Sequence, residues 1–247
     1  MTPTEIVKLG STFANVNAYN PSAGAPPGWE VKPLLSKSDP VTGFQATTFY
    51  NAITNQYWFA VAGTNDIKDR SAWNSALSGY SGNKEQVDFA LGLMKSVNTG
   101  AESQGATVLT SGHSFGGQFT DIGTSVFGWQ SVKFDAVGGS SIVNSSGFKD
   151  KLAELGITPA GGTNVISCNI NGFGPFGGSL VGTVAGSDIP GTVNCKIDLP
   201  SGTASNVVSI GLTALFGLPG WAFSKAITTG GGVRISVCEA VGMLSEV

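Results

Sequence analysis

Histidine is almost missing from this chain: of its 247 residues, His113 alone carries an imidazole. A zinc site is not expected, because Cys168, Cys195 and Cys238 show no C-x-x-C spacing and have no histidines to complete a ligand set. No other cofactor is implied. Charge is sparse too. Asp, Glu, Lys and Arg make up 12% of the sequence and the formal net charge is -3. With no basic cluster of the kind that follows a phosphate backbone, nucleic acid is not an expected partner.

The first residues, Met1-Thr2-Pro3-Thr4-Glu5, lack the basic head and apolar run of a secretory signal, so no signal peptide is expected and the compartment stays open. Long uncharged stretches, 157–187 and 199–224, are broken by Gly172, Gly174, Pro175, Gly177 and Gly178, and by Pro200, Gly217, Pro219 and Gly220. A spanning helix needs about 20 uninterrupted residues. No transmembrane helix is therefore expected, while contact with a lipid surface stays open. The odd number of cysteines allows two readings: buried thiols, or a Cys168–Cys195 disulfide in an oxidising compartment.

Length fits one large domain with a sizeable core. Within it, charge thins after residue 154, where only Asp188, Lys196, Asp198, Lys225, Arg234, Glu239 and Glu246 are ionisable carboxylates or cations. The expectation is a single domain over 1–247, with 155–247 an apolar, Gly-rich second part. That part is either covered by 1–154 or offers an apolar surface to lipid or to a protein partner. Val207-Val208-Ser209-Ile210-Gly211-Leu212-Thr213-Ala214-Leu215-Phe216 reads as a buried helix or as a lid over an apolar pocket.

A short helix opens the chain and a Pro- and Gly-rich loop, Pro21 to Gly28, follows. Gln45 to Tyr50 and Tyr57 to Ala62 are β-branched and aromatic runs that predict an antiparallel hairpin. Val87, Ala90, Leu91, Met94 and Val97 fall on one face of a helix over 83–98. Short strands are predicted at 107–111, 132–136 and 164–168, alternating with helices from Gly116 and over 147–155. That alternation predicts an α/β fold with a mostly parallel central sheet flanked by helices.

Gly112-His113-Ser114-Phe115-Gly116-Gly117 is a G-x-S-x-G motif lying between a predicted strand and a predicted helix, the context of a nucleophile elbow. Ser114 is the nucleophile candidate. A serine hydroxyl is a weak nucleophile unless an imidazole takes its proton and a carboxylate orients that imidazole. His113 ends the strand and points away from its neighbour, so its expected role is a ring packed beneath the turn.

The sequence resembles the class 3 lipase group of α/β-hydrolases. The matching pieces are Gly43-Phe44-Gln45-Ala46-Thr47, Ala62-Gly63-Thr64, Ser111 to Gly117 and Phe134-Asp135-Ala136-Val137-Gly138, in the family's order, and the likeness covers roughly 5–190. It implies an α/β-hydrolase fold, an acyl ester or lipid as substrate, Ser114 as nucleophile, and the backbone N–H groups of Thr64 and Phe115 as oxyanion-hole donors.

Two family positions depart from the pattern. Where the acid is expected the chain reads Ile170-Asn171-Gly172-Phe173-Gly174-Pro175, leaving Asp135 or Asp188 as weak acid candidates. Where the histidine is expected stand Arg234 and Ile235. Arginine stays protonated at any working pH and isoleucine has no proton to exchange, so neither replaces an imidazole.

Three readings follow. One is a lipase-like module with an incomplete triad, catalytically impaired or kept for lipid or partner binding. Another is an active ester hydrolase with a non-standard base, for which Lys225 and Glu239 are candidates. In the third, the base comes from a partner or from chain beyond Val247.

Overall fold

The first five residues dictate a helix start. Thr2 accepts a hydrogen bond from the Glu5 amide, the Glu5 carboxylate accepts from the Thr2 nitrogen, and Pro3 supplies a helical φ at the first position. Helix α1 (Pro3–Thr12) follows. The computed structural model describes residues 1–14, 18, 24–63, 79–134, 136–170, 187–198 and 234–237.

Two short edge strands, β1 (Glu30–Val31) and β2 (Lys37–Asp39), pair with β3 (Phe44–Asn51). The predicted hairpin is present. β3 pairs antiparallel with β4 (Gln56–Val61), in register from Ala46 opposite Val61 to Asn51 opposite Gln56. Its turn is closed by the Asn51 side chain, which accepts from the Ile53 and Thr54 amides.

Helix α2 (Lys84–Ser103) runs beyond its predicted end because Ala101 continues the buried stripe of Met94 and Val97. Then come β5 (Thr107–His113), a single 3-10 turn over Ser114–Gly116, and α3 (Gly117–Phe127). β6 (Gln130–Phe134), α4 (Ser140–Val143), α5 (Ser146–Glu154), β7 (Val165–Ile170), β8 (Val193–Asp198) and β9 (Arg234–Val237) complete the described elements.

The sheet runs β1-β3-β4-β5-β6-β7-β8-β9, with β2 also on β3. Strands β4 to β8 are parallel and the outer pairings antiparallel. Each parallel step from β4 to β7 is bridged by helix, as the alternation in sequence predicts.

Both faces of the sheet are covered. On one, Val87, Leu91 and Met94 of α2, Phe119 and Ile122 of α3, and Phe148 and Leu152 of α5 pack on Tyr57, Phe59 and Val61. On the other, Ile6 and Val7 of α1 and Phe13 just beyond it pack on Phe49, Trp58, Ala60, Leu109, Val132 and Phe134. The split of Tyr57, Phe59 and Val61 from Trp58 and Ala60 is the period of two that an extended strand imposes. Helix α1 lies flush on β6: a Cβ on Gly10 would overlap the Val132 side chain.

Cys168 and Cys195 stand opposite each other on parallel neighbours β7 and β8, with Cα atoms 4.5 Å apart, and form a disulfide. Of the two readings for this pair, the disulfide replaces the free thiols, since strand register alone brings the two within bridging distance. Cys238 and the 207–216 segment lie outside the described residues. Among the described residues no helix is long and apolar enough to cross a membrane.

Candidate active site

Ser114 sits where the chain changes direction between β5 and α3, and it does so in a left-handed conformation, φ +52°. A non-glycine residue held there costs on the order of 1–3 kcal/mol, a strain that persists only when the surroundings enforce it. Three glycines make the turn fit. A Cβ on Gly112 would stand 2.5 Å from the Gly116 carbonyl oxygen, and one on Gly116 would stand 2.7 Å from the carbonyl oxygens of Val61 and Ala62. A Cβ on Gly117 would overlap the Ala136 side chain. The glycines of the motif are thus explained by close backbone approach, at the end of β4 as well as within the turn.

The Ser114 carbonyl accepts a hydrogen bond from the Gly117 amide, and a second, at 2.9 Å, from the amide of Val137 in the loop after β6. Its hydroxyl makes no hydrogen bond to a side chain among the described residues. Phe115 is buried and meets Phe119 edge-on at 6.1 Å between ring centres. Thr64, Asp135, Lys225 and Glu239 lie outside the described residues.

His113 pairs in register with Phe134 and shares the face of Leu109 and Ser111, the face covered by α1. Its ring is buried, and desolvation lowers its pKa from 6.5 to about 4, so it is neutral at pH 7. Arg234 and Ile235 open β9, opposite Asp198 and Ile197 of β8. Three strands, β6 to β8, separate β9 from β5, a distance of about 19 Å at the usual inter-strand spacing.

Sequence reasoning missed the strongest charged feature of the site. Lys133, on β6 opposite Gly112, is fully buried on the α3 face. Its ammonium donates to both carboxylate oxygens of Asp121 on α3, at 2.8 and 2.7 Å, and to Asp188, at 2.7 Å. Asp121 also accepts from the Gly139 amide at 2.7 Å. Burial raises the Asp121 pKa and the nearby Asp188 charge pushes the same way, while Lys133 and the Gly139 amide oppose both.

Asp188, an acid candidate, is therefore engaged with Lys133, at 30% exposure. The available signal was a lone lysine between Val132 and Phe134 and a lone aspartate within the uncharged helix that follows the serine. Charges in apolar runs of this kind are rarely buried without a partner.

Strand order, the serine turn and helices on both faces fix the architecture. This is an α/β-hydrolase fold. No family model matches the sequence, and no curated protein does. Among solved structures the chain is similar to lipase II of Rhizopus niveus, at 12% identity and TM-score 0.44, with 81% of each chain covered. It is similar to a triacylglycerol lipase of Penicillium expansum at 13% identity and TM-score 0.49, over 79% of this chain and 80% of that one. For a lipase of Yarrowia lipolytica the figures are 15%, 0.45, 77% and 78%. The likeness is one of fold.

Proposed function

We propose that the chain is a lipase-like module in which Ser114 is an elbow nucleophile facing an acyl-ester or lipid site, with a Ser-His-Asp triad that is incomplete and turnover that is impaired. The backbone N–H groups of Phe115 and Thr64 are its oxyanion-hole donors, one following the nucleophile and one following β4. The observation that carries this reading is the placement of His113. The single imidazole of the sequence is buried and neutral on the α1 face, behind the strand that presents the serine.

Without an imidazole, a serine hydrolase keeps about a thousandfold of its rate over water from its oxyanion hole and from binding. The module then binds esters and reacts with them slowly. Partner or lipid docking through 155–247 belongs to the same proposal, as the use of a cleft whose chemistry has faded.

A second reading, an active ester hydrolase with a non-standard or partner-supplied base, is favoured by the strain retained at Ser114. One experiment separates the two. The protein and its Ser114→Ala variant are treated with a fluorophosphonate probe and with short and medium acyl esters. Labelling at Ser114 with turnover below about 1 per second is expected. Ser114-dependent turnover above that rate establishes the second reading, and absence of labelling removes Ser114 from the chemistry altogether.

A further inference from the structure

We propose that Lys133, with Asp121 and Asp188, is a positioning group that holds Ser114 in its strained turn. The proposal rests on the reading of Ser114 as an elbow nucleophile and adds what keeps it in place.

A continuous set of contacts leads from the cluster to the serine. Asp121 lies in the second turn of α3, the helix that follows the Ser114 turn, and one of its carboxylate oxygens accepts from both Lys133 and the Gly139 amide. Lys133 also holds Asp188, and the neighbouring Ser187 carbonyl accepts from the Ser140 amide at 3.1 Å. Gly138 packs so closely on the Ser187 carbonyl that a Cβ there would overlap it. The loop over 136–139 is thus pinned from two sides. From within that loop the Val137 amide donates to the Ser114 carbonyl, and Ala136 fills the space left by Gly117.

Stability alone is a poor reason for this arrangement. Burying a lysine with two carboxylates is expensive, and apolar residues of similar volume commonly serve a core as well or better. What apolar residues do not supply is an acceptor for the Gly139 amide or a cation for Asp188. Those two bonds fix the loop that reaches Ser114.

The test is the double variant Lys133→Met/Asp121→Leu, which replaces the central pair with apolar volume and leaves Asp188 to solvent. It is expected to melt close to the parent protein. Its Val137 and Gly139 amides are expected to exchange hydrogen about tenfold faster, the factor that one lost charge-assisted hydrogen bond gives, with β3 and β4 amides unchanged. Fluorophosphonate labelling slows by about the same factor, in the maximal rate and not in the half-saturating probe concentration.

A folded double variant with parental exchange at Val137 and Gly139 overturns the proposal. Asp188→Asn, which keeps the central pair, is expected to speed exchange at Ser140 and Val137 about threefold, and no change at either also overturns it. Amide exchange reports on the clamp whether or not Ser114 reacts. A parent protein inert to the probe sinks the nucleophile reading and leaves the exchange data to judge the clamp.

Discussion

On the α1 face of β5 and β6 stand Ser111, His113 and Phe134, while one residue along each strand, on the α3 face, stand Gly112 and Lys133. The α1 face keeps its polar atoms neutral: Trp58 donates its indole N–H to the Ser111 hydroxyl at 2.9 Å, and the imidazole stays unprotonated near neutral pH. The α3 face instead buries full charges and binds them to one another. Both solutions satisfy buried polar groups, but they respond differently to substitution and to pH. The charged side is tied by hydrogen bonds to the loop that touches Ser114.

Removing one ion from the charged side is the most damaging way to break this contrast. Lys133→Met leaves Asp121 fully buried beside a second carboxylate, and is expected to cost about 3–5 kcal/mol. Urea denaturation measures it. Adding Asp121→Leu to the same protein is expected to recover most of that loss, because the uncompensated buried charge then disappears. A single variant as stable as its parent would show that the cluster does not act as an ion pair.

On the neutral side the lever is acid. His113 has a folded pKa of about 4 against 6.5 when unfolded, so between those values the unfolded chain binds more protons. Stability from this group is therefore complete above pH 6.5 and is lost as pH falls toward 4, by about 3 kcal/mol in all. Asp121 opposes this trend, since its raised pKa makes the folded state hold a proton longer as pH rises. The His113 contribution is isolated as the difference between the parent and His113→Gln in urea midpoints at pH 7.5 and pH 4.5. Parallel acid losses in the two proteins would remove the imidazole as their source.

The same two faces differ in how they reject a methyl group. Gly112→Ala drives a Cβ against the backbone of Gly116, which cannot turn aside, and is expected to cost about 2–3 kcal/mol. Gly10→Ala on α1 meets the Val132 side chain instead, and the better helix propensity of alanine offsets about 1 kcal/mol, so the net loss is about 1 kcal/mol. Thermal melts of the two variants rank them. Equal losses would mean that the turn around Ser114 yields as readily as a helix packed on a strand.

How much of this was legible follows the range of each signal. The hairpin, α2 and the serine turn are local patterns: β-branched alternation, a helical stripe, and a glycine on each side of Ser114. Val193-Asn194-Cys195-Lys196-Ile197-Asp198 also alternates apolar and polar residues, so β8 was readable by the same rule. Strands of two or three residues such as β1 and β2, with Glu30, Lys37 and Asp39 in them, carry no periodic signal, and pairing with β3 defines them. The Lys133 cluster was hidden for another reason. Its members come from β6, α3 and the approach to β8, and only the strand register says which face of the sheet each meets.

The smallest effect bears on the serine itself and has the opposite sign to the rest. Glycine adopts a φ of +52° without the steric cost that a Cβ imposes, so Ser114→Gly is expected to stabilise the protein by about 1 kcal/mol, set against the extra chain entropy that glycine loses on folding. If the turn is held for the sake of a hydroxyl, this gain comes with complete loss of fluorophosphonate labelling, the usual trade between stability and a strained functional residue. The clamp predicts a further dependence. In the Lys133→Met/Asp121→Leu background the turn is already relaxed, so Ser114→Gly should gain measurably less there than in the parent, and a double-mutant cycle from urea midpoints reads that difference directly.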